Sequence, residues 1–163
     1  MTPQTKHGPN RFSSYQQIHT TVMQQLVREG FVLSDELQFR DMGYGTIVLE
    51  GKIPCAGGIT VSVRKVLKLR IASGRETEVQ TTEYSYNAVL DGVGTILRYD
   101  SPHQSHNKYH HVHRHLVFEH DHEGKVEEIH KEEDRPTLGE VLSELRDWYY
   151  ENIDAITAIE RRP

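Results

Sequence analysis

Cysteine is nearly missing from this sequence: Cys55 stands alone among 163 residues, so no disulfide can form within the chain. No stretch approaches the roughly 18 to 20 apolar residues that a membrane helix needs, and the opening MTPQTKHGPNRF has no apolar run of the signal-peptide kind. A reducing cytoplasm is the expected setting, with no membrane role. Excess positive charge is lacking too. Lys and Arg number 19 against 24 Asp and Glu, a formal charge of -5 with histidines neutral. Attraction to a polyanion therefore has no global basis, and any nucleic-acid contact must be local. Internal repeats are absent, and 163 residues make one domain the default.

What is present in excess is histidine. Of 11 histidines, all but His7 and His19 fall between His103 and His130, so mild acid would make one region strongly positive. Apolar residues at 36% against 26% charged predict a modest core and a wet surface.

The first eleven residues mix Pro, Gly, Asn and Thr without periodicity and read as a flexible tail, with a single α+β domain over 12–163. From Ser13 or Ser14 as N-cap, Tyr15, Ile18, Val22, Leu26 and Val27 recur at helical spacing, and Gly30 stops the helix near Glu29. Strand signals follow over Phe31–Arg40, Tyr44–Ile53, Ile59–Ile71, Glu76–Leu90, Thr95–Tyr99, His111–Phe118 and Val126–Ile129, separated by Gly, Pro and Asp turns. Ile59, Val61, Val63, Leu67, Leu69 and Ile71 alternate with polar residues, and Lys65 interrupts their apolar face; such lysines usually snorkel to an edge. The run of hairpins without strand-helix alternation predicts an antiparallel sheet of about five to seven strands. Thr137-Leu138-Gly139-Glu140 is a capping box, and Val141, Leu142, Leu145, Trp148, Tyr149 and Ile153 continue as a C-terminal helix over the sheet.

Chemistry concentrates between Arg98 and His115. If His110–His115 is a strand, alternation places His111, His113 and His115 on one face at about 7 Å spacing, with Val112, Arg114 and Leu116 on the other. Three readings stay open. Neutral imidazoles in a His-x-His pattern ligate Zn, Fe, Ni or Cu, with His103, His111 and His113 as the set and a divalent transition metal as cofactor. With no cofactor, one neutral and one protonated imidazole cleave RNA by acid–base catalysis. The bland reading is a solvated loop that binds a partner and does no chemistry. Asp100, before Ser-Pro, either initiates a turn or orients an imidazole. Arg98 is either a surface arginine or a phosphate fork. Tyr84 and Tyr86 share a strand face, where they pack in a core or stack bases.

The pattern Tyr84-x-Tyr86, then Arg98-x-Asp100-x-x-Pro102-His103, then His110-His111-x-His113, closed by a Thr137-Leu-x-Glu-Val-Leu helix, resembles the TumE-like toxins of type II toxin–antitoxin operons. The resemblance covers roughly Phe31 to Asp147. It implies a toxin, a ribonuclease in this reading, with His103, His110, His111, His113, Arg98 and Asp100 as catalytic residues, Tyr84 and Tyr86 as substrate-binding ones, and RNA as substrate. It also implies a helix-turn-helix antitoxin as partner, and it leaves self-association into a homo-oligomer open. His106, His115, His120, His122 and His130 fall outside the pattern and outside the expected site.

Overall fold

The alternation that marks Ile59–Ile71 as a half-buried strand becomes the spine of the molecule. A computed structural model describes residues 6–71, 77–102, 109–115 and 124–161. In chain order the elements are β1 (Asn10–Arg11), α1 (Phe12–Arg28), β2 (Gln38–Gly43), β3 (Thr46–Pro54), β4 (Ile59–Ile71), β5 (Thr77–Leu90), β6 (Gly94–Asp100), β7 (His110–His115), β8 (Gly124–Ile129), α2 (Leu138–Glu151) and α3 (Ile153–Glu160). The fold is α+β. Strands β2 to β8 lie in chain order across one antiparallel sheet, and β1 adds a further strand against the start of β5.

One face of this sheet is apolar and carries the helices. Met23 and Leu26 of α1, and Leu138, Val141, Leu142 and Leu145 of α2, pack with Val61, Val63, Tyr84, Tyr86, Tyr99 and Val112 into the main core. Each fully buried aliphatic side chain contributes roughly 1.5–3 kcal/mol. A bulge between Val66 and Leu67 re-aims the far ends of β4 and β5. There Ile47, Leu67 and Val79 form a second, smaller cluster beneath Phe12, Tyr15 and Phe39. Cys55 is buried, and burial pushes its thiol pKa up to about 12, which leaves it unreactive.

A polar network fixes β6 and β7 to α2. Arg114 donates to Glu144 at 3.0 Å, to the Tyr99 hydroxyl at 3.0 Å and to Glu127 at 3.1 Å, and Tyr99 donates to Glu144 at 2.7 Å. The network spans three strands and a helix, so it holds the register as well as the contact.

Several boundaries differ from the sequence reading. Residues 6–11, read as a tail, carry contacts: Asn10 and Arg11 pair with Val79 and Glu78, and the His7 ring bonds the Arg135 carbonyl at 2.8 Å. Helix α1 begins at Phe12 with Arg11 at the N-cap and no side-chain cap, one turn boundary earlier than Ser13 or Ser14 suggests. Phe31–Leu37 is not a ladder strand but an irregular crossing, tied by a single bridge from Val32 to Cys55. Its backbone passes over the sheet, which is why the Phe31–Arg40 strand starts only at Gln38. The single C-terminal helix is two, broken at Asn152, whose backbone is non-helical (φ -118, ψ 16). Thr137 caps α2 as its motif predicts, accepting from the Glu140 backbone at 3.2 Å. Residues 116–118 of the expected His111–Phe118 strand lie outside the described residues.

The crossing depends on one glycine. Gly51 in β3 has φ +146, and a Cβ there would sit 2.6 Å from the Glu36 carbonyl oxygen and 3.2 Å from the Leu37 Cα. Both obstacles are backbone, so nothing soft can give way. Gly51→Ala should lower stability by about 1–3 kcal/mol or more, read as the urea midpoint of the variant against the parent; an unchanged midpoint would remove this role.

Candidate functional site on two faces of the sheet

Cross-strand register decides which of the expected residues meet. In β6 and β7, Asp100 stands opposite His111 and Arg98 opposite His113. Directly opposed residues share a face, so these four side chains converge on the side away from the helices. By the same register Tyr99 opposes both Tyr86 and Val112 on the helix side. His110, one residue from His111, therefore points the other way. The expected site is divided: Arg98, Asp100, His111 and His113 on one face, His110, Tyr84 and Tyr86 on the other. His103 lies outside the described residues.

On the first face Asp100 is buried, 1% exposed, and Arg98 Nε approaches its Oδ2 at 2.6 Å. Asp100 is thus the last residue of a strand, not the start of a turn. The chain is held beyond it because Ser101 bonds Tyr84 by both its amide (3.0 Å) and its hydroxyl (3.2 Å). The His111 Nδ1 donates to the Tyr109 carbonyl at 3.1 Å. A carbonyl can only accept, so the proton of neutral His111 sits on Nδ1 and Nε2 carries the lone pair. That Nε2 faces Asp100 Oδ2 at 3.7 Å. The His111 and His113 rings meet edge-on, with centroids 5.0 Å apart. Burial, and then the neighbouring His111, lower the His113 pKa, with Asp100 opposing, so His113 is neutral in neutral water. Arg98 keeps its side chain 44% exposed. Its Nε is turned to Asp100, and the rest of the guanidinium remains partly open to solvent.

The same face offers a donor set for a cation. One ligand atom each from Asp100, His111 and His113 lies within 4.8 Å of the others. Of the expected set of His103, His111 and His113, the last two take part, and Asp100 supplies the third donor. Two imidazoles and a carboxylate suit a borderline divalent metal, and the Nδ1–H to Tyr109 is the outer contact that metal-binding imidazoles use. Arg98 competes for the same Asp100 oxygen, so the fit is partial.

On the helix face, Tyr84 stacks on Tyr86 with centroids 5.1 Å apart and on His110 at 5.4 Å. His110 Nδ1 and the Tyr84 hydroxyl share a hydrogen bond of 2.9 Å. Burial, reinforced by Arg135 and His7, pushes the His110 pKa down to about 4. Burial pushes the Tyr84 hydroxyl well above its usual range. This pair is neutral at neutral pH and serves packing. Both tyrosines line a cavity of about 380 Å³ between α1, the sheet and the segment entering α2. Lys65 rises into it from the middle of the sheet. Its place as the one charge in an apolar stripe was the signal in the sequence, and the expected snorkelling to an edge does not occur, because β4 is flanked by β3 and β5.

The site residues on both faces all fall within the span of one family match. The family described as Toxin TumE matches residues 22–149, most of the chain. The chain belongs to this family. The match runs from the second half of α1 into α2 and takes in both faces of the sheet. A toxin role follows from membership in the TumE family, and an antitoxin partner with it. No curated protein and no solved structure matches the chain. No helix among the described residues is long and apolar enough to cross a membrane.

The His110 environment has a pH signature. The folded protein disfavours the charged ring, with a pKa of about 4 against 6.5 for a free one, so the unfolded chain takes up the proton first. Stability from this group is complete above pH 6.5 and falls as pH drops towards 4. Urea midpoints across that range should decline less steeply in His110→Gln than in the parent; equal slopes would show that another group causes the decline.

Proposed function

We propose that this toxin is a metal-independent ribonuclease acting in the cytoplasm through the Arg98, Asp100, His111 and His113 face. The observation that supports it is the convergence of two imidazoles, a buried carboxylate and a half-exposed arginine through one cross-strand register. His113, neutral, takes the proton from a ribose 2′-hydroxyl, whose oxygen then attacks the adjacent phosphorus. His111 gives the proton to the departing 5′-oxygen. Nδ1 is committed to Tyr109, so the proton leaves from Nε2 of this buried side chain. Positive charge on His111 faces the Asp100 carboxylate, and the half-exposed guanidinium of Arg98 binds the phosphate as its charge builds. The products are a 2′,3′-cyclic phosphate and a 5′-hydroxyl. The partner in this reading is a helix-turn-helix antitoxin. With the chain at a charge of -5, a basic surface on the antitoxin would complement it.

The close donor set of Asp100, His111 and His113 favours a second reading, a bound divalent metal. The two differ in one measurement. Single-stranded RNA incubated with the purified toxin in EDTA should still be cut, with a bell-shaped pH profile and cyclic-phosphate ends, and His113→Ala should cut about a hundredfold more slowly or worse. Loss of cleavage in EDTA, restored by one metal, would transfer the case to the metal reading. Undiminished cleavage by both His111→Ala and His113→Ala would end the histidine mechanism.

A further inference from the structure

The cavity on the helix face plays no part in that mechanism and has a chemistry of its own. Its volume of about 380 Å³ is that of an ordinary small-molecule site. Lys65 pairs across the sheet with Leu49 on one side and Tyr84 on the other. Alternation then sends its side chain straight towards the helices. The ammonium lies 5.0 Å from the centre of the Tyr15 ring. Burial lowers the Lys65 pKa, but Tyr86 and Tyr15 more than offset it and the net shift is upward, so the group stays charged.

No carboxylate among the described residues lines the cavity or pairs with Lys65. A desolvated cation is costly unless an anion meets it. The buried Tyr15 hydroxyl, like that of Tyr86, is a neutral partner of the ammonium and brings no negative charge to it. Lys65, Tyr15 and Tyr86 thus bring three donor groups to one polar end. Ile18, Val22, Met23 and Leu138 give the lining an aliphatic part. Ile18 and Val22 belong to the apolar stripe of α1, yet they are 54% and 37% exposed because they face this space instead of the core.

We infer that this cavity binds a nucleoside monophosphate, its phosphate on Lys65 and the Tyr15 hydroxyl and its base against the aliphatic part of the lining. Three terminal oxygens on a phosphate match three converging donors better than the two of a carboxylate. The weakly polar face of a base suits the aliphatic part of the lining, and a sugar phosphate with no apolar group does not. The site lies on the opposite face of the sheet from His111 and His113, so its occupancy and the cleavage mechanism stand or fall separately.

Calorimetric titration of the full chain with 5′-AMP, adenosine and inorganic phosphate tests this. Expected are binding of 5′-AMP, weaker binding of phosphate and of adenosine, and at least a ~10-fold loss of 5′-AMP affinity in Lys65→Met. Methionine conserves the volume and removes the charge, so the variant should fold and melt no lower than the parent. Tyr15→Phe should weaken binding with the melting temperature unchanged. His113→Ala should bind 5′-AMP as the parent does. Absence of 5′-AMP binding, equal affinity in Lys65→Met, adenosine as tight as 5′-AMP, or loss in His113→Ala would each overturn the proposal.

Discussion

The register of β6 against β7, with Asp100 opposite His111 and Arg98 opposite His113, is the constraint on which the candidate site depends. A slip of β7 by one residue would carry His111 and His113 into the apolar core and turn Val112 out to the other face. The register is held by means that have nothing to do with the imidazoles. Val112 and Tyr99 are buried against the helices, and Arg114 ties Tyr99 to Glu144 and Glu127. The helix side of the sheet therefore positions the residues on its far side, and a mutation at Glu144 would act on the histidines without touching them.

Much of this was legible because it rests on period-two patterning. The alternation of Ile59–Ile71, the hairpin signals and the capping box at Thr137 set the α+β class and the antiparallel sheet. The same alternation separated His111 and His113 from Val112 and Arg114. Two features were beyond reach. The Gly51 crossing needs a close approach between Glu36 and β3 that no local pattern records. The break at Asn152 interrupts an apolar spacing that continues undisturbed through Ile153.

Of the expected site residues, Arg98, Asp100, His111 and His113 meet on one face, and His110, Tyr84 and Tyr86 lie on the other. Motif spacing groups His110 with His111, but neighbours on a strand face opposite ways, and His110 ends up stacked on Tyr84 beside the core. Lys65 was visible as an interruption of an apolar stripe. What the sequence did not carry was the strand order, which places β4 between two neighbours and denies the lysine an edge to reach. A charge that would elsewhere be surface becomes the floor of a cavity.

The covering of the sheet also sets an order of events during synthesis. Strands β2 to β8 pair with their immediate predecessors, so hairpins can zip one after another as the chain emerges. Leu138, Val141, Leu142 and Leu145 come later, and without them the apolar face of the sheet stays open to water. The ribosome must therefore deliver α2 before the sheet is stable, and the β6–β7 face takes its final shape only once translation of that helix is complete.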